Sequence, residues 1–135
     1  MHSAPEKSPY VLIADDEPII ADTLRMILKV KGFPAVSFYC GREALRYAEG
    51  HPPLMLISDV VMPDITGFDL AISLKNMFSD CAVLLISGQV ATALLLEQAR
   101  NAGYEFEVLA KPVPPQEILQ RVERIFALPG SLDRP

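Results

Sequence analysis

Apolar residues in this chain come in short runs, and four of the runs end on chemically active side chains. Residues 10–14 run into Asp15-Asp16-Glu17, 54–58 into Asp59, and 82–86 into Ser87-Gly88. Residues 106–110, apolar but for Glu107, run into Lys111-Pro112. Between the runs, apolar residues recur at helical spacing. The pattern predicts strands at 10–14, 35–38, 54–58, 82–87 and 106–110. It predicts helices from Pro18 to Gly32 and at 41–49, 68–77, 90–102 and 115–127. Pro18 suits a first helical position, and Gly32, Gly50 and Gly103 suit helix ends. Ile20, Leu24, Ile27 and Leu28 form the expected inner stripe of the first helix, and Ile118, Val122, Ile125 and Phe126 that of the last.

Strands alternating with helices imply parallel βα units. The first, third and fourth strands are nearly continuous apolar runs, which means burial on both faces. Right-handed crossovers then give an α/β, doubly wound sheet of five parallel strands with five helices. Ligands of such sheets bind outside the carboxyl ends of the strands. All the polar positions above lie at those ends. The simplest parse is one domain at 9–128, with Pro-containing tails at 1–8 and 129–135. The second tail reads equally as a linker, so a stand-alone domain and a piece of a longer regulator both fit.

Net charge narrows the partners. At −5, with no cluster of Lys and Arg, the chain lacks the footprint of nonspecific nucleic-acid binding. No apolar stretch nears the ~20 residues of a membrane-spanning helix, and the start has no signal-peptide hydrophobic region. A cytoplasmic location is the expectation. Cys40 and Cys81 lack metal-ligand spacing and read as small apolar residues. His2 and His51 read as solvated.

The strand-end residues carry the candidate chemistry. Asp15 and Asp16 alone could be an acidic cluster at a helix start. Asp59, at the end of the central strand, faces the same edge. Three crowded carboxylates repel, and a hard divalent cation such as Mg²⁺ relieves this. Lys111 alone could be a structural salt bridge, but it also suits a phosphoryl oxygen. Ser87-Gly88 adds a hydroxyl and open backbone. Together these groups can surround a phosphoryl group, with Asp59 the best-placed nucleophile for an acyl phosphate.

The four motifs, in order, resemble a receiver domain of two-component response regulators, like the chemotaxis receivers. The matching residues are Asp15-Asp16-Glu17, the segment from Asp59 through Pro63 to Gly67, Ser87-Gly88 and Lys111-Pro112. The resemblance implies a flavodoxin-like fold with strand order 2-1-3-4-5 and a cis Lys111-Pro112 bond. It implies that Asp59 is the phosphoacceptor and that Asp16 binds Mg²⁺ directly, with Asp15, Asp59 and the Val61 carbonyl completing the protein ligands. Ser87 is then the switch hydroxyl and Lys111 the phosphoryl-binding ammonium. The implied function is a phosphorylation-controlled signalling switch rather than a turnover enzyme. Its phosphodonor is a sensor histidine kinase or phosphotransfer protein. The face of the fourth helix and fifth strand is the implied surface for output or homodimerisation.

The chain also departs from the family. Val108 stands where an aromatic residue is usual, and Phe106 points to the same strand face. Val113 follows Lys111-Pro112 where Phe is common. Val61 and Gln89 hold the two positions that tune phosphate loss. Val61 cannot orient an attacking water by hydrogen bonding, though Gln89 can, so slow to moderate self-dephosphorylation is expected. In the fourth helix Leu95, Ala99 and Ala102 share a stripe, with Leu94 and Leu96 about 100° to either side. Three alternatives stay open: a phosphorelay intermediate, an aspartyl-phosphate phosphohydrolase and a binding-only module. The phosphohydrolase lacks its usual second acid, because Val61 occupies that position.

Overall fold

The computed structural model describes residues 9–88 and 92–128. The expected tails at 1–8 and 129–135, with His2 and Gln89, lie outside the described residues. Ten elements alternate: β1 (Val11–Ala14), α1 (Pro18–Val30), β2 (Ala35–Phe38), α2 (Gly41–Gly50), β3 (Met55–Asp59), α3 (Gly67–Met77), β4 (Ala82–Ser87), α4 (Thr92–Asn101), β5 (Glu107–Ala110) and α5 (Pro115–Phe126). The strands form one sheet in the order β2-β1-β3-β4-β5, and every pairing is parallel. This is the flavodoxin-like, doubly wound order.

Period-2 alternation sends neighbouring residues to opposite faces of the sheet. Val11, Ile13, Ile57 and Leu84 pack on one face against Leu24 and Leu28 of α1 and Ile118 and Val122 of α5. Leu12, Leu56 and Leu85 pack on the other against Ala44 of α2, Leu70 and Leu74 of α3, and Ala99 of α4. Every residue of β1 and β3 is buried, which is why those runs do not alternate in sequence.

Helix ends are set locally and from a distance. Pro18 opens α1, and Gly32, with φ +92°, follows its end in a conformation glycine adopts without strain. Thr66 caps α3 by accepting a hydrogen bond from the Asp69 amide at 3.0 Å. The start of α2 is capped from 22 and 23 residues away: Arg42 and Gly41 N–H donate to the Asp64 carboxylate at 2.7 and 3.1 Å. Burial pushes the Asp64 carboxyl up, but the amides of Arg42, Ile65 and Gly41 outweigh it and bring the pKa down to about 2. The Asp64 loop is thereby fastened to α2, and it leads directly into the helix behind Asp59.

Two expectations shift. In α1 the buried residues are Ala21, Leu24 and Leu28, whereas Ile20 is 43% exposed. Ile20 and Ile27 instead line an apolar cavity of about 600 Å³ opening between α1 and α5. His51 is not simply solvated: its ring stacks on Tyr47 with centroids 4.1 Å apart, and Tyr10 donates its hydroxyl to the His51 carbonyl. Cys81 is buried and Cys40 half-buried, and neither forms a disulfide.

Candidate functional site

Parallel strands bring their carboxyl ends to one edge, and the register decides which residues meet there. Ala14 pairs with Ser58, so Asp15 and Asp59 extend side by side. Asp59 pairs with Ile86 and Ser87 with Ala110, which puts Ser87 one residue and Lys111 two residues further along. The Lys111 amide donates to the Ser87 carbonyl at 2.9 Å, tying the fourth and fifth strand ends together. The Lys111-Pro112 bond is cis, as the resemblance implied.

Asp15, Asp16 and Asp59 each offer a carboxylate oxygen within 4.8 Å of the others. Asp15 and Asp59 are buried and Asp16 is exposed, so the cluster is open on one side. Lys111 Nζ donates to Asp59 Oδ2 at 3.1 Å and lies 3.9 Å from Asp15 Oδ2. Ser87 is buried at the same edge, and a Cβ added at Gly88 would meet the Lys111 stem at ordinary contact distance. Val61, two residues after Asp59, has an exposed side chain. Asp15, Asp16, Asp59, Ser87 and Lys111 thus gather at the same strand ends.

The charges do not balance. Burial is the main cause that raises the Asp15 pKa, and the neighbouring Asp59 and Asp16 charges raise it further. The Glu17 amide, donating to Asp15 Oδ1 at 2.9 Å, and Lys111 oppose this without cancelling it. Burial lowers the Lys111 pKa, but the Asp59 hydrogen bond and the charges of Asp59, Asp15 and Glu17 outweigh it and leave it raised. One ammonium therefore sits beside two of three clustered carboxylates, an imbalance that a further cation would offset.

The family profile described as "Response regulator receiver domain" matches residues 11–123. The chain belongs to that family. The transcriptional regulatory protein KdpE of Mycobacterium tuberculosis is 34% identical over 112 residues, covering 83% of this chain and 48% of that protein. PrrA of the same species, also a transcriptional regulatory protein, is 30% identical over 127 residues, covering 92% of this chain and 52% of its own. This receiver domain spans about half the length of the curated relatives it matches. The solved structure of the chemotaxis protein CheY4 of Vibrio cholerae superposes with a TM-score of 0.75 at 25% identity, covering 87% of this chain and 98% of that one.

The receiver's site holds two features that the strand-end pattern did not reveal. Gly67, the first residue of α3, sits so close to the Asp59 carbonyl that a Cβ would collide with it. The buried Ser58 hydroxyl donates to that same carbonyl at 2.9 Å. Both act on the backbone of Asp59 and not on its carboxylate. Gly67 lay inside a recognised motif, but only the packing of α3 on β3 exposes its role. Leu94 of α4 is 60% exposed, while Leu95 and Leu96 are half-buried against the core, so the inner face of α4 is wide but not complete. No helix among the described residues is long and apolar enough to cross a membrane.

Proposed function

We propose that residues 9–128 form a phosphorylation switch in which Asp59 accepts a phosphoryl group from the phosphohistidine of a sensor kinase or phosphotransfer protein. The observation that carries this reading is the convergence at one sheet edge of Asp15, Asp16 and Asp59, with carboxylate oxygens within 4.8 Å of one another, and of Lys111 in ion-pair range of Asp15 and Asp59. Three hard oxygen donors around one gap suit Mg²⁺, held by Asp15, Asp16 and Asp59, with the Val61 carbonyl a further ligand. A bound Mg²⁺ would offset the carboxylate charge and that of the incoming phosphoryl oxygens.

The remaining work falls to the chain itself. An Asp59 carboxylate oxygen forms the new P–O bond as the donor's P–N bond breaks, and the electron pair returns to the imidazole nitrogen. Lys111, already beside Asp59, neutralises a phosphoryl oxygen as it approaches. Ser87 offers a hydroxyl to another oxygen. No second carboxylate stands two residues after Asp59, where Val61 lies, so the acyl phosphate persists. Acetyl phosphate with Mg²⁺ should load about one phosphoryl group per chain. Sustained phosphate release from small phosphate esters would instead favour the phosphohydrolase reading.

The apolar cavity beside the site is the docking position for the donor protein. It is lined by Ile20, Ile27, Val113 and Ile118 and reaches Asp59 and Lys111 at its polar end, so an occupant is delivered to the nucleophile. Ile20→Glu should slow transfer from the donor protein by about tenfold, the effect of a desolvated interface charge. Loading from acetyl phosphate should be unchanged. Equal slowing with both donors would remove the docking role.

A further inference from the structure

From the aromatic packing behind Asp59 we infer that phosphorylation is read out through a chain of three rings, Phe68 tilted against Phe106 and Phe106 stacked on Tyr104, ending at a hydrogen bond to Asn76. The inference rests on Asp59 being the phosphorylated residue. The first link has no slack. Gly67 abuts the Asp59 carbonyl, which Ser58 also holds, and the Gly67 amide donates to the Val60 carbonyl at 2.8 Å. A shift of the Asp59 peptide therefore moves the first turn of α3, and Phe68 is the next residue. Phe68 is buried, and its ring meets that of Phe106 with centroids 6.1 Å apart. Phe106 is buried just before β5 and lies 5.8 Å from Tyr104, nearly parallel to it.

Tyr104 closes the path at the surface. Its hydroxyl donates to Asn76 Oδ1 at 2.6 Å near the end of α3, and its amide donates to the Ala99 carbonyl of α4 at 2.9 Å. One residue thus joins the far end of α3 to α4, while its ring touches the chain of rings that begins beside Asp59. β5 itself, Glu107–Ala110, contributes no aromatic side chain, so aromatic bulk between α3 and α4 comes from the residues preceding it. Rigid, closely packed groups of this kind pass on displacement that a loose contact would absorb.

The test uses the full chain labelled with fluorotyrosine and followed by fluorine NMR. The chain has four tyrosines, and Tyr104→Phe assigns the signal that matters. Asp59 occupancy is measured in parallel by intact mass after acetyl phosphate and Mg²⁺. The Tyr104 signal should move on phosphorylation. Phe106→Leu should lose most of that movement at equal occupancy, and Phe68→Leu breaks the same chain of rings if Phe106→Leu does not fold. A phosphorylated wild-type protein with an unmoved Tyr104 signal overturns the readout alone, as does an undiminished shift in a folded variant. Failure of Asp59 to gain mass overturns the phosphoacceptor reading and this inference with it.

Discussion

Asp59→Asn should abolish phosphoryl uptake while leaving the sheet intact. The change is nearly isosteric, so β3 keeps its packing between β1 and β4. It removes the only carboxylate at the end of the central strand, and an amide oxygen does not form an acyl phosphate. Loading from acetyl phosphate should fall at least about a thousandfold, to background. The variant should fold, because it also removes one of three mutually repelling carboxylates within 4.8 Å of one another. Lys111 retains Asp15 as an ion-pair partner at 3.9 Å. Circular dichroism and intact-mass measurement on the same sample separate the two outcomes. Residual loading at a wild-type rate would assign the nucleophile to another residue.

Gly67→Ala should be the most damaging single-methyl change in the receiver. Its Cβ would collide with the Asp59 carbonyl oxygen and press on the Ser58 hydroxyl, and the obstructing atoms are backbone in a central strand. Such overpacking costs about 3 kcal/mol when neither partner can yield. That corresponds to a fall of roughly 10 °C in thermal midpoint for a domain of this size. Loading at Asp59 should slow by at least about tenfold, since the carboxylate moves with its peptide. Gly50→Ala is the control. It lies at the end of α2 with nothing within 4 Å of an added Cβ, so it should leave the midpoint level or raise it slightly. Equal behaviour of the two variants would mean that α3 can retreat from Asp59 at little cost.

The fold was readable because its information is local. Continuous apolar runs identified β1 and β3, which are buried throughout, and proline and glycine marked helix limits. Two boundaries moved by one residue: β3 includes Asp59, and β5 starts at Glu107, with Phe106 buried just before it. The inner stripe of α1 was read too generously. Helical spacing places Ile20 and Ile27 beside Leu24, but only the separation of α1 from α5 determines that they line a cavity instead of filling it.

The site was readable for a similar reason. In a parallel sheet, a polar residue directly after an apolar run must lie at the carboxyl edge, so Asp15, Asp59, Ser87 and Lys111 were fixed by topology. What remained hidden depends on contacts between residues distant in sequence. Asp64 caps a helix that begins 23 residues earlier, a relation without any local signature. Gly67 looks like an ordinary helix start until α3 is docked on β3. The chain of rings joins Phe68 to Phe106 across 38 positions, and nothing in the spacing of either residue announces it.

The most direct test is to locate the phosphoryl group. The wild-type receiver is treated with acetyl phosphate in Mg²⁺ or in chelator, reduced with borohydride to trap any acyl phosphate, digested and sequenced by mass spectrometry. The proposed switch requires the trapped residue to be Asp59, and to be found only in the Mg²⁺ sample. A label on any other side chain, or full trapping at Asp59 in chelator, would contradict it.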